Sequence, residues 1–144
     1  MTKRPYYGHE YGKTKIVNEE YPHIHSIDDL YDVFKDSWCE KTCAPRMAKD
    51  WSKDDPSLGQ CSITSFLVQD IIGGEVYGIK LPDGNFHCFN VWNGIRFDLT
   101  SEQFRDALDY ENAEKQDRKV HFGKKEKYER YLLLKSRIEE KEKR

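Results

Sequence analysis

The chain has 144 residues, a length that suits one folded domain and allows a core without disulfide staples. Charged residues make up 35% of it and the mean hydropathy is −0.92, so the apolar side chains must concentrate in a compact middle. A formal net charge of −2 gives no overall field toward nucleic acid or an anionic membrane, and no stretch is apolar for long enough to span a bilayer.

Residues 1–25 are polar, rich in Tyr, Lys and His, and without a clear period; they read as an arm on the surface. Within them, residues 1–20 lack the apolar segment of a secretory signal, which makes the cytoplasm the expected location. Ser26 followed by Asp29 is a capping-box-like start. Ile27, Leu30, Tyr31 and Phe34 then recur at helical spacing and predict an amphipathic helix over 27–37. Pro45, Pro56 and Gly59 break 38–59 into irregular structure, with a turn at 54–59. The next helix, over 61–72, carries Ile63, Phe66, Leu67, Ile71 and Ile72. It is the most apolar helix of the chain, so it should be central, and Gly73-Gly74 ends it.

Strands are expected over 75–81, 86–92 and 95–99. Pro82-Asp83-Gly84-Asn85 turns the first into the second, and Asn93-Gly94 is a two-residue hairpin signal between the second and third. Thr100 and Gln103 form a capping-box pattern that would open a helix near 101–108. Residues 109–122 are polar and carry no readable period. A helix over 124–144 would place Tyr128, Tyr131, Leu132 and Ile138 on one side. The fold class is α+β: an arm (1–25), one domain (26–122) and a charged C-terminal helix (123–144) packed on it or extending from it. The domain would set a central helix on a small antiparallel sheet of about three strands, with flanking helices.

Four cysteines are present, at 39, 43, 61 and 88. Without an export signal they are expected as free thiols: buried hydrophobes, metal ligands or nucleophiles. Cys61 opens the apolar helix. Unpaired N–H groups and the positive dipole end there favour a thiolate, and the same N–H groups could hold an oxyanion. A packed structural cysteine is the plainer alternative. If Asn93-Gly94 is the tip of the hairpin, Trp92 pairs with Ile95 and Phe89 with Asp98. His87 is then a diagonal neighbour of Asp98 on one face, and a slip of one residue would separate them. An acceptor beside an imidazole fixes its tautomer and stabilises its charged form. The plainer alternative is an exposed strand histidine and an unrelated turn carboxylate. Gln60 is either an oxyanion donor or a helix cap. Asn90, on the strand face away from His87, suits a structural hydrogen bond. Trp38, Trp51 and Trp92 read as core rather than as a substrate platform.

Several segments resemble the YunG family of bacterial proteins: Trp51-Ser52, then Asp55-Pro56-Ser57-Leu58-Gly59-Gln60-Cys61-Ser62, then Val68-Gln69-Asp70 with Gly73-Gly74. His87-Cys88-Phe89-Asn90 follows, and Phe97-Asp98-Leu99-Thr100 leads to Gln103-Phe104. The likeness runs in order over residues 38–104. It departs at Asp55, where Asn is usual, and at Cys88-Phe89, where Tyr-Trp is usual. A helix-borne Cys, then a strand His, then an Asp on the next strand is similar to the order in papain-like and transglutaminase-like enzymes, and this wider resemblance implies that core.

The expected function is that of a cysteine-dependent hydrolase or acyl transferase, working through Cys61, His87 and Asp98 on an amide or related carbonyl. The substrate would be an amide-containing small molecule or a peptide, with no metal or organic cofactor and no nucleic-acid or membrane partner. One alternative is a catalytically silent binding module on the same fold, docking through the C-terminal helix, which carries nine basic and five acidic residues from Lys124 to Arg144. Another is a zinc-binding domain drawing on Cys39, Cys43, Cys61, His87 and Cys88. Adjacent strand residues such as His87 and Cys88 point to opposite faces, which suits a shared metal poorly.

Overall fold

A computed structural model describes residues 5–104 and 108–143. Helix α1 (Ile27–Ser37) begins at Ser26, whose hydroxyl accepts from the Asp29 N–H at 3.2 Å. Asp29 in turn accepts from the His25 N–H, one residue before the cap. Ile27, Leu30, Tyr31 and Phe34 bury the predicted stripe. Residues 38–60 hold two short 3-10 turns, Glu40–Thr42 and Pro45–Asp50. Helix α2 (Cys61–Ile72) is buried almost all round, from Ser62 to Val68 and again at Ile71, as befits a central helix.

The sheet is antiparallel and has four strands where three were expected: β1 (Glu75–Lys80), β2 (Phe86–Trp92), β3 (Ile95–Phe97) and β4 (Glu114–Lys115), in the order β3-β2-β1-β4. The added strand is two residues long, too short for an alternating pattern to mark it. Asn93 and Gly94 both take positive φ (50° and 77°), the turn that matches strand twist, and Trp92 pairs with Ile95. Asn90 and Cys88 share the face that meets α2: the Asn90 amide donates to the Ser65 carbonyl, and Cys88 clusters with Phe66 and Val76. His87 and Phe89 therefore lie on the other face.

The N-terminal segment differs from the expected surface arm. Tyr6, Ile16, Tyr21 and Ile24 are buried in the main core beside α1. The segment also crosses the end of β3, where Asp98 N–H donates to the Tyr7 carbonyl and Tyr7 N–H donates to Ser101 Oγ. The pattern hid this because its apolar residues anchor irregular chain and obey neither period. Beyond β3, Ser101–Gln103 is one 3-10 turn and Phe104 is extended; residues 105–107 of the helix expected near 101–108 lie outside the described residues. A short helix α3 (Arg118–Phe122) precedes α4 (Lys125–Glu142), which packs on α1 and α2. Its buried stripe is Tyr131, Leu134 and Ile138; Tyr128 and Leu132, expected on that stripe, are largely exposed. Among the described residues no helix is long and apolar enough to cross a membrane.

Candidate functional site

Cys61 is the first residue of α2, so its sulfur stands where the first-turn N–H groups have no partner within the helix. The approach to it is tight. Gly59 has φ of +70°, and a Cβ there would meet Cys43 Sγ at 2.5 Å and Ala44 N at 2.9 Å, so only glycine fits. Cys61 packs against the cluster that holds Cys88, and its thiol lies 4.0 Å from the Phe86 carbonyl oxygen.

His87 and Asp98 are each 1% exposed, and His87 Nε2 is 2.6 Å from Asp98 Oδ2. Asp98 takes three further donors: the Tyr110 hydroxyl at 2.8 Å on the same oxygen, and the Thr100 N–H and hydroxyl, each at 3.1 Å, on the other. A carboxylate so surrounded fixes Nε2 as the protonated nitrogen of neutral His87. Nδ1 is then buried with no partner at ordinary hydrogen-bonding distance. His87 and Cys61 line one cleft of about 660 Å³, together with Phe104 and Gln103. Phe104 meets the His87 ring edge-on, with centroids 4.6 Å apart, and Phe89 meets Tyr110 likewise at 5.0 Å.

The charges in this cleft reinforce one another. Burial opposes a charged His87, but the Asp98 charge and hydrogen bond, and then Cys61, outweigh it and raise the imidazole to about 10. The neighbouring Cys88 thiol first, and the charge of nearby His87 with it, hold Cys61 well below the ordinary thiol range against the cost of burial. Cys88 moves the other way, held protonated by neighbouring Cys61 and by burial. These pulls favour charge on Cys61 and on His87 and keep the proton on Cys88.

Gln60 departs from both of its expectations. It is fully buried, its amide donates to the Cys39 carbonyl at 3.2 Å, and its side chain makes no cap bond to α2. The carboxamide at the cleft is instead Gln103, which accepts from the Gly59 N–H and donates to the Thr100 carbonyl. Asn90 ties β2 to α2, as its face requires. Trp38 is buried and donates to Thr64 Oγ1, while half-buried Trp51 donates to the Pro56 carbonyl. Among the described residues no three His, Cys, Asp or Glu side chains converge as a metal site, so the cysteines at 39, 43, 61 and 88 do not gather with His87 around one point. The sequence reading missed Tyr110, Phe104 and His121. Thr100, expected as a helix cap, makes no side-chain cap bond and instead donates twice to Asp98; Asp-x-Thr is the spacing at which a carboxylate accepts from the N–H two residues on.

Fold and site together define an α+β protein in which a helix-start thiol shares a cleft with a strand histidine held by a buried carboxylate. The chain matches the YunG protein family over residues 26–143 and belongs to that family. It is 32% identical over 80 residues to the uncharacterized protein YunG of Bacillus subtilis (strain 168). That alignment covers 56% of this chain and 64% of the relative, so it spans less than two thirds of the relative's length. No solved structure matches the chain.

Proposed function

We propose that the protein is a cysteine-dependent hydrolase or acyl transferase with a papain-like or transglutaminase-like arrangement, acting on an amide or related carbonyl. The observation that carries this reading is the polarity of His87: Nε2 is committed to Asp98, while Nδ1 is left without a partner in a cleft it shares with Cys61. A histidine needed only for packing would have no reason to be oriented by a four-donor carboxylate and yet leave its other nitrogen unpaired.

In the proposed reaction the Cys61 thiolate attacks the carbonyl carbon, and the carbonyl π electrons move to oxygen. The first-turn N–H groups of α2 face the oxyanion, as the sequence leads one to expect, without the help also expected from Gln60. His87 Nδ1 gives its proton to the leaving amine as the carbon–nitrogen bond breaks, leaving a thioester on Cys61. Water or an acceptor amine then attacks the thioester, His87 takes its proton, and the sulfur leaves as a thiolate. Asp98 keeps the ring oriented throughout and stabilises the imidazolium.

The test is acyl transfer from p-nitrophenyl acetate. An initial burst of one equivalent of p-nitrophenol is expected, with an acetyl group located on Cys61 by peptide mass spectrometry. Cys61→Ala should abolish both. Turnover without acylation of Cys61, or no acylation at all, would contradict the proposal.

A further inference from the structure

The part of the cleft built by α3 and α4 has a charge that the thiol chemistry does not use. Lys124, Lys127 and Arg130 line it, Arg46 lines the cleft from the turn Pro45–Asp50, and among the described residues Glu126 is the one acid of the whole lining. A chain with a net charge of −2 has therefore placed a cationic surface at this cleft. The cations are not equivalent. Arg130 donates to Glu126 at 2.8 Å and to the Thr42 carbonyl at 2.9 Å, and Arg46 stands 3.6 Å from Asp83. Lys127 is half-buried and, among the described residues, forms no ion pair; its ammonium lies 3.0 Å from His121 Nδ1.

That contact is built. The Gln116 amide donates to the Glu114 carbonyl at 3.0 Å, which leaves Gln116 Oε1 to accept from His121 Nε2–H at 2.9 Å. His121 Nδ1 then carries a lone pair and accepts from Lys127. Burial first, then Lys127 and Lys124, lower His121 to about 4, against opposing pulls from Cys61 and Asp117, so the ring is neutral near pH 7. It orients the ammonium without cancelling its charge, and among the described residues it engages one of the three ammonium protons.

Burial lowers Lys127, the nearby Cys88 and Cys61 thiols pull against it, and no carboxylate among the described residues pairs with it; a half-buried cation so placed is costly, and the cost falls when an anion arrives. We infer that Lys127, oriented by His121, is the anion-binding residue of the Cys61 cleft, so that the acyl substrate carries a carboxylate or phosphate group. The inference deepens the thiol reading and rests on it for the word substrate. The cleft volume of about 660 Å³ suits a small molecule or the end of a peptide.

The experiment has two arms. In the first, Cys61 is alkylated near pH 7 with neutral iodoacetamide and anionic iodoacetate, in wild type, Lys127→Gln and Lys127→Arg. The ratio of the two rates cancels any change in thiolate content, and the pull of the His87 charge is common to all three proteins. Lys127→Gln should lower the iodoacetate-to-iodoacetamide ratio about two- to fivefold, the worth of one partly screened ion pair, and Lys127→Arg should keep most of it. Equal loss of both rates would assign Lys127 to thiolate support and overturn the inference. The second arm uses Cys61→Ala, which needs no reactive thiol. Acetate or inorganic phosphate should shift the His121 ring nitrogens saturably in nuclear magnetic resonance spectra, with no such shift in the Lys127→Gln double variant. Saturation by only one of the two anions identifies the group. Absence of a saturable shift with either would overturn the inference. Inert Cys61 with an intact anion shift would remove the thiol reading alone and leave the anion site standing.

Discussion

Asp98, which holds the cleft residue His87 from within the fold, and Lys127, which lines the cleft, are ionisable side chains that the protein treats in opposite ways. Asp98 is buried and receives four donors, from His87, Tyr110 and twice from Thr100. Its field is spent inside the protein, and its effect is to hold an imidazole in place. Lys127 is half-buried and rests on one neutral ring nitrogen, with no carboxylate among the described residues. The first arrangement is complete within the fold. The second is incomplete, and incompleteness at a cleft marks a place where a ligand supplies the missing charge.

The largest effect is expected at Asp98. Asp98→Ala leaves the His87, Tyr110 and Thr100 donors buried without their acceptor and should cost about 3–5 kcal/mol, read from the urea unfolding midpoint. A loss below about 1 kcal/mol would mean that the network is not satisfied from within. The same pair sets a pH dependence. Burial alone would lower His87, but Asp98 raises it from 6.5 to about 10 in the folded protein. The stability it contributes is therefore fully present below about pH 6.5 and lost as the pH rises through about 10. Cys61, depressed by the neighbouring Cys88 thiol and by His87, has the opposite sign: its contribution is present above the ordinary thiol range and lost as pH falls through the lowered value. In wild type the two contributions offset each other between about pH 6.5 and the ordinary thiol range, so unfolding measured from pH 6 to 10 should show the His87 decline in Cys61→Ala, and a flatter profile in Cys61→Ala/Asp98→Asn.

Tyr110→Phe removes one of the four donors and keeps the ring that packs on Phe89. It should cost about 1.5–3 kcal/mol, the worth of a hydrogen bond to a charged acceptor, with His87 still in place. Lys127→Gln should change stability by no more than about 0.5 kcal/mol, because no internal partner loses its counterion. A cost as large as that of Tyr110→Phe would place Lys127 among the satisfied charges and erase the contrast.

The legible and illegible parts of this molecule follow from what periodicity can encode. The stripe Ile27, Leu30, Tyr31 and Phe34 and the apolar run of α2 announced two helices at their observed bounds. Asn93-Gly94 set the register that brings His87 and Asp98 to one face. No such signal marks Tyr6, Ile16 and Ile24, which are single anchors on irregular chain, nor Tyr110, which reaches Asp98 from a 3-10 turn. Gln60 was misread because a residue adjacent to Cys61 in sequence was expected beside its sulfur in space. The turn at Gly59 sends that side chain to Cys39 instead and leaves the cleft to Gln103. His121 and Lys127 meet across two helices, a relation of tertiary packing that a local pattern does not carry.

The central claim is that Cys61 is an activated thiol because of His87. Its most direct test is the pH dependence of iodoacetamide alkylation, read at each cysteine by mass spectrometry, in wild type and His87→Ala. The account predicts that wild-type Cys61 reacts well below pH 8 while buried Cys43, whose thiol burial pushes up to about 11, stays slow. In His87→Ala the Cys61 rate at pH 6 should fall about tenfold or more, with its midpoint moving toward the ordinary thiol range. A Cys61 that titrates as a free thiol in both proteins, or reacts equally well without His87, would contradict it.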